Sequence, residues 1–168
     1  FNPIFIVFLT PVVIGIFAAL NKRGKEPSSP RKIGIGLFLA AASFLIMVLV
    51  STGLVSPKDF VPGALADAMR VTPYWLIATY LSLTISELFY SPIGISFVSK
   101  VAPPQYSGLM QGGWLGSTAI GNLLAGLIGP FWAKWEMWQF FLLLVVMLVI
   151  SAVFIFSIMK TLETATED

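Results

Sequence analysis

The chain has 168 residues, of which 57% are hydrophobic and only 11% charged, with 10 Lys and Arg against 8 Asp and Glu. A soluble domain averages about a quarter charged residues, so this chain lacks the polar side chains to coat a globule in water, and a net charge of +2 is too small to imply a nucleic-acid partner. With no cysteine and no histidine, disulfides, thiolate metal sites and Ser-His-Asp chemistry are excluded.

A bilayer's hydrocarbon core is about 30 Å thick, so a spanning helix needs about 20 mostly apolar residues. Five stretches qualify in chain order: Pro3 to Leu20, Ile33 to Gly53, Pro73 to Ser99, Ser107 to Phe131, and Trp138 to Met159. Backbone groups in lipid must pair internally, which leaves helices or the strands of a closed barrel. Barrel strands alternate polar and apolar residues, and runs such as Phe140 to Ile150 do not. The expected fold is all-α, a polytopic transmembrane helix bundle of five spans, forming one membrane domain over 1–168. Because the chain starts at Phe1 inside an apolar run with no charged leader, it reads as beginning within a longer protein.

The connections predict orientation. Lys22, Arg23, Lys25, Arg31 and Lys32 crowd the first loop around a single Glu26, and short basic loops stay cytoplasmic. The second loop, Ser56 to Thr72, balances Lys58 and Arg70 against Asp59 and Asp67 and reads as external. Lys100 marks a cytoplasmic turn. Trp132, Trp135 and Trp138 suit the outer interface belt, and the tail from Lys160 returns to the cytoplasm. The expectation is an integral membrane protein of the bacterial inner membrane, with its first residue external and its C-terminus cytoplasmic. The basic loop also suits anionic lipid, although a topology signal is the simpler reading.

Few residues are equipped for chemistry. Asn2 before Pro3 is an ordinary helix start, and Pro11 predicts a kink further along the first helix. Of the charged residues, Glu87 alone falls near the middle of a predicted span. A charge at a helix centre costs about 2.5–3.5 kcal/mol on insertion scales, so such residues face a cavity or a partner. Tyr80, Thr84, Glu87, Ser91 and Gly94 follow spacings of four and three and therefore share one helix face. Glu87 is then either a ligand-binding carboxylate or a structural one bonded between helices. Pro92 removes a backbone bond beyond it and serves either as a gating hinge or as a packing kink.

In the fourth span Gly108, Gly112 and Gly116 recur every four residues, as do Gly121, Ala125 and Gly129, a spacing that lets helix backbones approach closely. GGWLG lacks the Lys and the strand–helix setting of a phosphate loop. Gln111, Trp114, Thr118 and Gly121 share a face. Trp114, placed mid-membrane, either walls a pocket or simply packs. The run Phe140 to Ile150 predicts a fifth helix lying mostly against lipid.

Three strings carry a resemblance: FNPIFIVFLTP at 1–11, SELFYSPIGISFVSKVAP at 86–103 and GLMQGGWLGSTAIGN at 108–122. In order and spacing they resemble the NPxFI, GELxxSPxGLSxVxKLAP and GLMMGxWFLxxAxGN patterns of the proton-coupled oligopeptide transporter family, within the major facilitator superfamily. The resemblance covers nearly the whole chain and implies helices eight to twelve of a twelve-helix fold. It implies that Asn2 and Glu87 help hold the amino end of a peptide, and that Trp114 lines the pocket with Leu115, Thr118 and Ser91 nearby. Here Leu115 stands where the family usually has Phe, Ser86 replaces Gly, and Gln111 replaces Met. The family's proton-coupling motifs fall outside this chain.

The reading is part of a secondary transporter, with no covalent step, cofactor or metal. Its expected partners are small peptides, protons, the bilayer and an N-terminal half of the same transporter. A same-fold transporter of nitrate, an amino acid or a larger amide is the first alternative, and a non-transporting membrane assembly subunit is the second. An amine-binding Glu87 argues against nitrate, and a lone carboxylate argues against an enzyme.

Overall fold

The computed structural model describes residues 2–54 and 73–167. Five long helices account for most of them: α1 (Asn2–Lys22), α2 (Ser29–Ser51), α3 (Tyr74–Val101), α4 (Ser107–Ile128) and α5 (Met137–Ser157). A nine-residue helix, α6 (Met159–Glu167), follows at the C-terminus. No strand occurs among the described residues. The helices run through Pro11 and Pro92 without interruption.

The expected Ser107 to Phe131 span ends earlier than predicted. The chain tightens at Gly129–Ala133 into a 3-10 turn, where Pro130 cannot continue the donor ladder. The tail beyond Lys160 is helical. The predicted external loop, Ser56 to Thr72, lies outside the described residues.

Four of the five long helices, all but α4, have the length and apolarity to cross a bilayer. Their packing has a clear centre. α2 contacts α3 along one side and α5 along the other, while α1 and α4 join the bundle chiefly through α3. Small residues of α2 make this possible. Ala40, Ala41 and Ser43 are buried, and a Cβ on Gly36 would stand 3.0 Å from the Phe89 Cβ and 3.1 Å from the Ser86 carbonyl oxygen. Such tight backbone approach replaces the hydrophobic drive that lipid removes.

A polar pair crosses the same interface. The Ser43 hydroxyl is 2.6 Å from that of Ser82 and donates within its own helix to the Leu39 carbonyl at 2.8 Å. Ser86 is also buried there, and its hydroxyl has no hydrogen-bond partner among the described residues. On the other side Phe44 stacks with Phe141 at 6.3 Å and Phe38 meets Phe156 at 5.6 Å. Ala152 of α5 is fully buried. α5 therefore has two faces. One packs on α2, and the other, with Leu142, Val146, Ile150 and Val153, is exposed. The expectation of a helix mostly against lipid describes only the second.

The segments assigned to one side of the membrane meet at one end of the bundle. Ser28 donates to Glu163 at 2.5 Å and the Arg31 Nε lies 2.9 Å from the same carboxylate, fastening α6 to the start of α2. Lys32 and Asn21 both donate to Glu26. Lys32 first and then Asn21 hold the Glu26 carboxyl below its usual range. The Lys32 ammonium also sits 4.3 Å from the centre of the Phe17 ring. Lys100 lines a cavity of about 450 Å³ with Asn21, Ser28, Ser29 and Lys32, so the end of α3 joins the same cluster.

Candidate functional site

α3 carries most of the candidate residues, and its two faces differ. Ser82, Ser86, Phe89 and Tyr90 meet α2. Tyr80, Thr84, Glu87, Ser91 and Gly94 follow the same helical repeat on the opposite side. Thr84 is fully buried and donates to the Tyr80 carbonyl at 2.8 Å, satisfying its hydroxyl within the helix. Glu87 and Ser91 are half-buried, and neither Thr84 nor Glu87 is isolated from other polar groups. Gly94 is buried.

Gly94 is where α4 arrives. A Cβ built on it would stand 2.2 Å from Cη2 of Trp114, 2.7 Å from Cζ2 and 3.1 Å from Cζ3. The outer edge of the indole thus fills the space that a side chain at 94 would take. Gly94 lies seven residues from Glu87, about 10.5 Å along the axis on the same face, so Trp114 approaches α3 on the side that bears the carboxylate. Nearby, Gln111 Nε2 donates to the Ser99 hydroxyl at 3.1 Å. Ile95, Val98, Gln111, Trp114 and Leu115 enclose a small cleft of about 90 Å³.

The predicted residues divide as follows. Trp114 and Leu115 share the cleft, with Leu115 itself largely exposed. Thr118 is exposed, and its hydroxyl is 3.1 Å from the Trp114 carbonyl, which also accepts from Ser117 at 2.7 Å. Asn2 is the first residue of α1, and its side chain lies outside the description. Pro92 falls within α3 between Glu87 and Gly94, and Pro11 falls within α1. Ile95 and Val98 went unrecognised in the sequence because they look like ordinary lipid-facing residues. Gly94 was visible only as a member of the polar stripe.

Among the described residues, the glycines of α4 face open space. A Cβ on Gly108, Gly112, Gly116, Gly121 or Gly129 would meet nothing within 4 Å, and no residue of α4 is buried. Close approach among the described residues uses Gly34, Gly36 and Gly94, and α4 joins the long helices chiefly through α3.

The POT family model (PTR2) matches residues 1–159. The peptide transporter YePEPT of Yersinia enterocolitica is 37% identical over 128 residues, covering 76% of this chain and 23% of the relative. The di-/tripeptide transporter of Lactococcus lactis subsp. cremoris is 30% identical over 156 residues, covering 92% of this chain and 29% of the relative. Among solved structures, a peptide transporter POT in complex with sulfate superposes with a TM-score of 0.77 at 26% identity, covering 98% of this chain and 30% of that one. A POT family transporter in complex with a thioalcohol-conjugated peptide gives 0.73 at 27% identity, with 96% and 30% covered. The chain spans about a quarter of the length of the curated relatives it matches. With the family model spanning nearly its whole length and relatives that are transporters rather than enzymes, this helical membrane chain belongs to the POT family.

Proposed function

We propose that the chain forms helices eight to twelve of a transporter that carries di- and tripeptides inward with protons by alternating access. The observation that carries this reading is the pairing on one side of α3. A half-buried carboxylate at Glu87 lies two helical turns from the glycine on which Trp114 rests. In this reading Glu87 and Asn2 hold the peptide's amino end. Trp114, Leu115, Thr118 and Ser91 wall the cavity, and Pro92 and Pro11 give the helices room to bend. An N-terminal half supplies the facing wall and the proton-coupling groups, since transporters of this superfamily bind at the midplane between two halves.

Reconstituted into vesicles, the complete transporter that carries these helices is expected to accumulate labelled dialanine under an inward proton gradient and to lose that uptake with a protonophore. Competition by nitrate but not by dipeptides would replace the peptide reading with the nitrate one.

The same proposal places the Lys22 to Lys32 loop, Lys100 and α6 on the cytoplasmic side, in keeping with the contacts of Glu163 to Ser28 and Arg31. Cysteines introduced at Ser28 and Ala64 test it in the complete transporter with any other cysteines replaced. An impermeant thiol reagent applied to intact cells is expected to label Ala64→Cys and spare Ser28→Cys, and the reverse pattern inverts the map.

A further inference from the structure

We propose that Gly94 is a positioning residue for Trp114. Its missing side chain is the seat of the indole, and through that seat it sets where the ring stands in the cleft of Ile95, Val98, Gln111 and Leu115. The inference rests on the peptide reading only in assigning Trp114 to the substrate-facing wall.

Geometry separates this role from a packing role. At Gly36 the atoms that an added Cβ would meet are a backbone oxygen and the first side-chain atoms of Phe89 and Tyr90, none of which can move without the helices. At Gly94 they are all from the far edge of one aromatic ring. An added methyl at 94 is therefore accommodated by the ring, which must retreat from 2.2 Å to ordinary contact at 3.4 Å or beyond. That is a displacement of more than 1 Å at one wall of a cleft of only about 90 Å³. The Gln111–Ser99 bond ties the preceding turn of α4 to α3, and the three nearest atoms in the way of the methyl all belong to the indole. The indole therefore leaves its seat against α3, and the cleft changes shape.

The test uses the complete transporter with two readouts. The first is independent of transport: 19F resonances of incorporated 5-fluorotryptophan, with the Trp114 signal assigned by its absence in Trp114→Phe. Gly94→Ala is expected to shift that signal and leave those of Trp75, Trp132, Trp135 and Trp138 in place. The second is dialanine uptake. Gly94→Ala is expected to raise KM at least about fivefold, the scale of losing one well-packed aromatic contact, with less than about a twofold change in maximal rate. In the Trp114→Phe background the same substitution is expected to change KM less than about twofold, because the smaller ring leaves the methyl room.

An unmoved Trp114 resonance overturns the seat. A moved resonance with unchanged KM, or an equal KM rise in both backgrounds, overturns the positioning role. Should Gly94→Ala reduce yield, the Gly94→Ala/Trp114→Phe double variant carries the comparison and must match Trp114→Phe alone. Failure of the unsubstituted protein to take up dialanine is a separate result. It removes the peptide reading, and the substrate role of Trp114 with it, while the resonance alone still tests the seat.

Discussion

Glu87→Gln is expected to weaken dipeptide binding by about 1.5–3 kcal/mol, the range for a hydrogen bond to a charged group. Glutamine keeps the size and shape of the side chain and removes only the charge. The site is half-buried on an apolar helix, and an ammonium–carboxylate contact is far stronger in such surroundings than in water. Glu87→Asp keeps the charge and shortens the reach, so it is expected to cost less. The discriminating ligand is a dipeptide with an acetylated amine. It should bind the unsubstituted transporter poorly and lose little more on Glu87→Gln, because it offers no positive group to lose. Binding of free and acetylated dialanine to both proteins, measured calorimetrically, checks this. Equal losses for the two ligands would mean that Glu87 serves the polar contacts between helices and does not read the amine.

The largest effect on stability is expected at Gly36. Leucine there drives a side chain into the Ser86 carbonyl oxygen and the Cβ atoms of Phe89 and Tyr90, all within 3.4 Å of the first added carbon. Overpacking of this kind costs about 1–3 kcal/mol, and more where backbones must separate. Gly34→Ala should cost less, because the contact at 2.6 Å is with the ring of Phe156, which can turn aside. Gly15→Ala, with nothing within 4 Å, should leave Tm nearly unchanged. Thermal unfolding of the three variants in detergent ranks them. If Gly36→Leu is no less stable than Gly15→Ala, the α2–α3 contact is not what holds the bundle together.

Much of this architecture is legible in the chain because lipid imposes a simple rule on sequence. The helices announce themselves by length and apolarity, and α1, α2, α3 and α5 begin and end within a few residues of the expected limits. Glu87 stands out for the same reason, since a charge inside such a run is costly. Partner choice is less legible. Gly36 and the α4 glycines look alike in sequence, yet within this chain one lies against backbone and the others meet open space. The difference depends on which helix comes alongside, and a single helix's periodicity does not specify that. The Ser43–Ser82 pair and the cleft at Ile95 and Val98 escaped notice for that reason. α6 was missed because it is short and polar. Its attachment comes from Glu163 meeting Ser28 and Arg31, more than a hundred residues earlier.

Within this chain α4 is held chiefly through α3, and this bears on how the protein is made. Helices leave the translocon for lipid according to their summed apolarity. α4 is the long helix whose composition falls short of that standard, and α3 enters with a carboxylate at Glu87. Only residues 102–106 separate the two, too few for one to wait far from the other. The two helices should therefore leave as a hairpin, with Trp114 docking on Gly94 and Gln111 on Ser99 before either is released fully to lipid. On this view the residues that shape the cleft also govern biogenesis. Loss of both contacts together would register as poor membrane integration of α4 in a nascent chain.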